Sequence, residues 1–583
     1  MIQELVSLSE RLREKKFVHY IHDALDNVPV LITCEIDREG KFKQFIVAEE
    51  KKDSIAEALT SKKGKARLLV DKPEEVLEFG EKAKGKHKLF MVKLKEYVEI
   101  KTLAPVIGFY GTNKTNGVNN ARKAFPKQVE EKSRTGNIAF KLTNDNKWIH
   151  DAPEIRKAIV ENYKKKLKEL KTSRFPVCSM CGSSEYPVTD KFPHGMIKRV
   201  PDGQSSGCAL VSYNEKAFES YRLEGNENAS ICTHCAKAYV EALNWLLSNG
   251  TPRKNERGKE YFEYSNRKKI SEDTAVAFWL RDSIASEELD WLEEPDEGKI
   301  REMIRSVESG QAALAKKTKT DTFYAITLSG AAARIAIRDW IETSLSNLRA
   351  NLARWFEDIS IGEYDKDKKE VVTQFSRFWS LVSSAKSKGG KDVQHGRIGA
   401  ALWKCAVLDA APPLWLLGAI LNRIRAEQGN TTTERIALLK LYMNRRTNHK
   451  GGMIYMATLD QSNNNIAYIC GRLFAVLESA QYHASGGNLN AGIRERFFSF
   501  ASTMPSTAFG RLMKLSQHHL SKIRGEKPGL AVNLDKKIQE LMGQVEGTRF
   551  PVAFSLEDQA SFAIGYYHQR QNDFAGKQTN KEE

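Results

Sequence analysis

"PVCSMCGSSEYPV" (residues 176–188) and "SICTHCAKAYV" (residues 230–240) each hold a Cys-x-x-Cys pair, separated by residues 182–231. Such a turn brings two thiolates close enough to share a tetrahedral Zn²⁺ at about 2.3 Å per Zn–S bond. Cys178, Cys181, Cys232 and Cys235 together close a four-sulfur shell. A catalytic zinc keeps one position open, so the expected cofactor is structural zinc. Gly182 permits the tight turn of the first pair. The second pair opens an apolar helical pattern, whose N-terminal dipole favours thiolates. His194 and His234 are the possible substitute ligands. The interval is long for a compact zinc finger, so the metal is expected to pin a whole subdomain around "GQSSGCALVSYNEKAFESY" (203–221).

The other four cysteines, Cys34, Cys208, Cys405 and Cys470, are scattered, unlike a secreted disulfide framework. The opening "MIQELVSLSERLREKKFVHY" carries Glu4, Glu10 and Arg11 and reads as neither a signal peptide nor a membrane span. No later run reaches roughly 18 uninterrupted apolar residues. A cytoplasmic protein with reduced thiols and no membrane partner is expected. The 583 residues suggest two to four domains, and 41% hydrophobic residues suffice for real cores. A formal net charge of +17 and a pI of about 9.2 point to a polyanionic partner.

Along the chain, residues 1–25 read as an amphipathic helix, and "VPVLITCEIDREGKFKQFIVAE" (28–49) as a hairpin around "DREGK". "GNIAFKL" (136–142) alternates as a strand, and "EIRKAIVENYKKKLKEL" (154–170) is a basic helix. "HKLFMVKLKEYVEI" (87–100) fits helix or strand equally. Beyond residue 290 helical spacing dominates: Ile341, Leu345, Leu348, Leu352, Trp355 and Ile359 share one helix face. The expected fold is therefore an α+β N-terminal half with a zinc-braced subdomain, followed by a mainly α-helical C-terminal half. Its domains would be 1–172 (α+β), 173–290 (zinc-braced), 291–442 (helical) and 443–583 (a helical bundle).

Catalytic signatures are missing from the sequence: there is no Walker loop, HExxH, Gly-x-Ser-x-Gly or GxGxxG after a strand. His518–His519 lacks a third ligand, and His150–Asp151 lacks the further carboxylates of a metal-ion nuclease. The charged runs "DKPEE" (71–75) and "DKDKKE" (365–370) read as solvated turns. The expectation is a protein that is not an enzyme. The alternative is a zinc-containing nuclease acting on DNA or RNA, and a third reading is a scaffold without DNA contact. "GFYGTNKTNGVNNARKAFPKQ" (108–128) reads as a loop offering Asn113, Lys114, Asn116, Asn119, Asn120, Arg122, Lys123 and Lys127 to DNA. "RFWSLVSSAKSKGGKDVQHGR" (377–397), "LNRIRAEQG" (421–429) and "LYMNRRTNHKGG" (441–452) place Arg and Lys beside aromatic residues, which suits a single strand.

"DGQSSGCALVSYNEKAFESY" (202–221) resembles the signature of the large subunit of type I-C CRISPR Cascade, with its Gln-Ser-Ser-Gly turn, LVSYN strand and AFESY helix start. "LSGAAARIAIRDW" (328–340), "RIALLKLYMNRR" (435–446), "TLDQSNNNIAYICGRLFAVLESAQYHA" (458–484), "IRERFFSFASTMPSTAFGRLMKLSQHHLSKI" (493–523) and "FSLEDQASFAIGYYHQR" (554–570) are similar to further family elements, in order. Two features depart from it. Gly330 and Ala331 stand where relatives usually carry Pro and Asn, and many relatives lack the full cysteine set. The resemblance implies a non-catalytic prokaryotic subunit that recognises the protospacer-adjacent motif (PAM) on double-stranded target DNA and promotes unwinding and R-loop formation. It would hold the displaced single strand and recruit a helicase-nuclease, while guide pairing reads sequence. Its implied partners are the crRNA-containing backbone subunits, the handle-capping subunit and a small subunit. The last would come from an internal start, at Met443, Met453 or Met456. Gln204, Ser205 and Ser206 are expected to contact guide RNA or a neighbouring subunit.

Overall fold

The computed structural model describes residues 1–18, 22, 24–59, 66–80, 83–111, 116–169, 174–184, 186, 188, 194–255, 257–282, 287–308, 321–386, 393–448, 454–487, 491–545 and 549–579. The chain divides into two compact units, one of residues 1–197 and 209–245, the other of 198–208 and 246–583.

In the first unit α1 (Ile2–Glu14) precedes the hairpin of β1 (Leu25–Ile36) and β2 (Phe42–Glu57). Next come β3 (Val70–Asp71), α2 (Pro73–Leu77), α3 (Ala83–Lys95), α4 (Ala104–Tyr110) and α5 (Gly117–Gln128). β4 (Ile138–Leu142), α6 (Pro153–Glu169) and α7 (Thr233–Leu246) follow. The sheet order is β2-β1-β4-β3, with β1 parallel to β4 in a register that pairs Ile32 with Ile138. Alternation along β1 sends Ile32, Cys34 and Ile36 into a core with Phe90, Phe109, Phe125 and Phe140. The opposite face holds a smaller core around Val28, Val30 and Ala139, covered by Trp148. His150 stacks on Trp148 and shares a hydrogen bond with Ser54, and Asp151 pairs with Arg156 at 2.7 Å. His150 is thus packed into the interior, and Asp151 is half-buried in an ion pair. The ambiguous stretch 87–100 is helical through Lys95, and the first helix ends at Glu14 instead of near residue 25.

The second unit opens with the hairpin β5 (Gly250–Lys254) and β6 (Glu260–Tyr264), then β7 (Arg267–Lys269), β8 (Thr274–Leu280) and α8 (Glu297–Glu308). β9 (Thr322–Ala331) and β10 (Arg334–Ser344) complete an antiparallel sheet ordered β10-β9-β8-β7. α9 (Leu345–Ile359) is capped by the Ser344 hydroxyl, which accepts from the Asn347 N–H. A small hairpin of β11 (Ile361–Asp365) and β12 (Glu370–Gln374) leads to α10 (Phe378–Ser384), α11 (Val393–Leu408), α12 (Leu414–Ala426) and α13 (Thr433–Asn448). The last helices are α14 (Ile466–Ala484), α15 (Ile493–Ala501), α16 (Pro505–Glu526), α17 (Pro528–Val545) and α18 (Leu556–Thr579). One core runs through the unit from Ile270 to Tyr567.

The sheet pairs β8 with β9 across residue 290, and α13 runs through residues 442–443. "LSGAAARIAIRDW" forms the β9–β10 hairpin. The LVSYN stretch is not a strand, and AFESY begins only a short 3-10 turn, Lys216–Glu219.

α14 and α18 touch backbone to backbone. A Cβ on Gly471 would collide with the Phe562 carbonyl oxygen, and one on Gly565 with that of Tyr468. Gly510 on α16, by contrast, faces open space. Gly471→Ala and Gly565→Ala are each expected to destabilise the second unit by about 1–3 kcal/mol or more through overpacking. Gly510→Ala should be neutral or stabilise it by about 0.5–1 kcal/mol. Urea unfolding of the three variants checks the contrast.

Candidate metal centre and nucleic-acid interface

The sulfur atoms of Cys178, Cys181, Cys232 and Cys235 all lie within 4.8 Å of one another. Tetrahedral zinc with bonds of about 2.3 Å sets its sulfurs roughly 3.8 Å apart, so this donor set fits it. The first pair sits in a turn closed by the Gly182 N–H donating to the Cys178 carbonyl (2.9 Å), with Gly182 at φ +67°. The second pair lies at the mouth of α7. Backbone donors aim at sulfur: Met180 N–H (3.4 Å) and Cys232 N–H (3.3 Å) to Cys178 Sγ, and Cys235 N–H to Cys232 Sγ (3.4 Å). The Cys232 thiol is drawn down to about 5, first by the hydrogen bond from the Cys235 thiol. Cys235, supplying that proton, is pushed up. Three of the cysteines are buried and Cys181 is exposed.

Among the described residues, these cysteines are the one group placed to hold a metal. His194 Nδ1 instead meets the Tyr239 hydroxyl at 2.8 Å, and burial pulls its pKa down to about 4. His234 stacks on Tyr186, ring centres 4.7 Å apart. The sulfur cluster is tied further into the unit. Ser179 donates from its N–H to Ser230 O (2.9 Å) and from its hydroxyl to Ala229 O (2.8 Å). On α7, Glu241 accepts from Ser9 (2.6 Å) and Arg13 (2.7 Å) of α1.

Gln204, Ser205 and Ser206 are exposed on a turn closed by the Gly207 N–H donating to Gln204 O (2.9 Å). This segment belongs to the second unit, although the cysteines flanking it in sequence belong to the first. It is docked on the tip of the β9–β10 hairpin. Gly330 N–H donates to Pro201 O (2.8 Å), Gly203 bridges Ala332, and the Cys208 thiol donates to Ala332 O (3.3 Å). A Cβ on Gly330 would sit 2.5 Å from the Asp202 carbonyl carbon, which accounts for glycine at that position.

Of the residues proposed for DNA, Asn113 and Lys114 lie outside the described residues. The remainder correct the loop expectation: from Gly117 onward they form helix α5. Val118, Ala121 and Phe125 fix its buried face, a three- and four-residue spacing that the sequence already carried. Asn116, Asn119, Asn120, Lys123 and Lys127 are exposed on the opposite face. Asn119 Nδ2 donates to Asn116 Oδ1 at 2.8 Å. Gly40, Gly108 and Gly117 press the β1–β2 turn against the start of the helix. A Cβ on Gly117 would lie 2.5 Å from Gly40 O, and one on Gly108 2.5 Å from Glu39 O. Arg122 is committed inward, donating to Leu77 O and Glu78 Oε2, both at 2.6 Å.

Most of the arginines singled out in the C-terminal half are likewise committed. Arg445 is 2% exposed and donates to Asp358 Oδ2 (2.7 Å), Cys405 O (2.6 Å) and Ala410 O (2.9 Å). Arg423 pairs with Glu427, Arg425 with Gln559, and Arg446 lies over the Tyr442 ring. Residues 387–392 and 449–453 lie outside the described residues. The sequence reading missed α16 as a surface. Arg511, Lys514, His518 and Lys522 recur at three- and four-residue steps on its exposed face, over roughly 16 Å of helix. The helix carries no carboxylate before Glu526. Among the described residues, its one ion pair is Arg524–Asp535 at 3.7 Å. That basic spacing without acids was legible in "GRLMKLSQHHLSKIRG".

Cys232→Ser is expected to lower bound zinc and to speed hydrogen exchange across 174–197 and 209–232. Acidification acts in the same direction, because the ligands bind zinc as thiolates: zinc held at pH 7 should be lost as the pH falls toward 5. Metal analysis and exchange mass spectrometry measure both.

Among the described residues no helix is long and apolar enough to cross a membrane. No curated protein matches the chain. A family model described as CRISPR-associated protein (Cas_Csd1) matches residues 5–574, so the chain belongs to this CRISPR-associated family.

Proposed function

We propose that the protein is the non-catalytic large subunit of a type I-C CRISPR surveillance complex. The exposed Asn/Lys face of α5 carries this reading. Asparagine side chains suit base edges and lysines suit phosphates, on a helix narrow enough for the major groove. In this reading α5 meets the PAM duplex and promotes its unwinding, and base pairing with the guide then reads the target. The Gln204–Ser206 turn, exposed on a rigid support, faces guide RNA or a neighbouring subunit. The basic face of α16 follows the backbone of the displaced strand, and the assembled complex recruits the helicase-nuclease. The four-cysteine site braces the fold with zinc.

Losing one phosphate contact flattens the slope of log K against log salt by about 0.9 for duplex and about 0.7 for a single strand. Lys123→Ala with Lys127→Ala should therefore flatten duplex binding by about 2, and Lys514→Ala with Lys522→Ala single-strand binding by about 1.4. Arg122→Ala should lower stability without such a change. Unchanged slopes in both double variants would leave a scaffold reading. DNA cleavage in Mg²⁺, abolished by one carboxylate substitution, would favour a nuclease. Failure to co-purify with guide RNA and backbone subunits would remove the assignment altogether.

An internally initiated small subunit is part of the same proposal. Met443 is buried within α13. A start there would carry only a broken remnant of that helix. Met456 is exposed ahead of α14, and a start there keeps α14–α18 whole. Met453 lies outside the described residues. Replacing the Met456 codon is expected to abolish a C-terminal fragment on a blot of producing cells, whereas replacing that of Met443 should not.

A further inference from the structure

The four sulfurs differ sharply in access. Cys178, Cys232 and Cys235 are buried and Cys181 is exposed, yet all four lie within 4.8 Å of one another. The remaining thiols, Cys34, Cys208, Cys405 and Cys470, are buried. All four are closed off from solvent, so none of them is placed to meet an oxidant first. One sulfur of the chain thus combines solvent access with close sulfur neighbours.

We infer that Cys181 is the point at which hydrogen peroxide opens the four-sulfur site, through a disulfide between Cys181 and Cys178. The Cys181 thiolate attacks one peroxide oxygen. An S–O bond forms, the O–O bond breaks, and hydroxide leaves, giving a sulfenic acid. The Cys178 thiolate, in the same turn, then attacks that sulfur. The S–S bond forms, the S–O bond breaks, and a second hydroxide leaves. Two thiolates have lost two electrons, and the peroxide has gained them and, with two protons, become two waters. The two thiolates left, Cys232 and Cys235, are too few for a structural zinc shell. The tie between the turn at 178–182 and α7 goes with it, so the bracing of residues 174–184 and 209–232 becomes sensitive to oxidant, at the positions the structure describes.

This inference rests on zinc occupying the cysteine site and is independent of the proposed place in a surveillance complex. The test treats the zinc-loaded full chain with hydrogen peroxide, reads released zinc with a chromogenic chelator, and traps sulfenic acid with dimedone for mass spectrometry. The expected result is zinc release with the first dimedone adduct on Cys181, followed by a mapped Cys178–Cys181 disulfide. Cys181→His, which keeps four ligands without the exposed thiol, should release zinc at least tenfold more slowly. A first adduct on Cys178, Cys232 or Cys235 would overturn the inference, as would equal release from Cys181→His or a chain that takes up no zinc. Should Cys181→His fail to fold, the adduct order in the natural chain decides.

Discussion

The stretch from Arg174 to Cys232 contains no α-helix or strand among its described residues, only two 3-10 turns, and four cysteine sulfurs meet between its ends. Ordering each residue's backbone costs roughly 1–2 kcal/mol, and irregular segments beyond about 12–15 residues are uncommon in compact domains. A stretch this long cannot recover that cost through ladders of its own. The Cys178–Cys181 turn and the mouth of α7 give it two fixed ends that share one site. Through Glu241 the same helix holds Ser9 and Arg13 of α1. A metal held by these four sulfurs would contribute folding free energy to the first unit.

Charge in this chain divides by its partners, not by its amount. A net charge of +17 underlies the expectation of a polyanionic partner. Arg122, Arg423 and Arg445 nonetheless spend their guanidinium groups on carboxylates and carbonyls of the same chain. Arginine's fork suits such internal fastening, because several donors are satisfied at once. Among the described residues, Lys123 and Lys127 on α5 and Lys514 and Lys522 on α16 are exposed cations without a carboxylate partner. Lysine on a helix face keeps its head hydrated and gives a phosphate a point charge without demanding one geometry.

The long helices were legible because burial writes itself into spacing: Leu345, Leu348, Leu352, Trp355 and Ile359 line the buried side of α9 as their periodicity predicted, whereas Ile341, read onto the same face, lies in β10. The β1–β2 hairpin and the four-cysteine cluster were equally readable. β5 and β6 escaped because both strands are largely exposed and carry no apolar alternation. β10 escaped because it alternates only weakly along the edge of its sheet. α5 was masked by asparagines, by Gly117 at its start and by Pro126 near its end, although Val118, Ala121 and Phe125 held the helical period. The long-range pairing of Arg445 inside the second unit could not be read. Arg445 and Asp358 are far apart in sequence, and only tertiary packing brings them together. For the same reason the Gln204–Ser206 turn looked like property of the cysteine region, yet its supports come from Gly330 and Ala332.

The tight seat of α18 against α14 also sets an order of events during synthesis. Phe562, Ile564 and Tyr566 are fully buried in the centre of the bundle. They leave the ribosome after every helix that surrounds them. Translation adds roughly 5–20 residues per second, so α14 waits seconds with its glycine-notched face uncovered before its partner arrives. During that interval the exposed face is a place where a chaperone, or a second nascent chain, can compete with the proper helix.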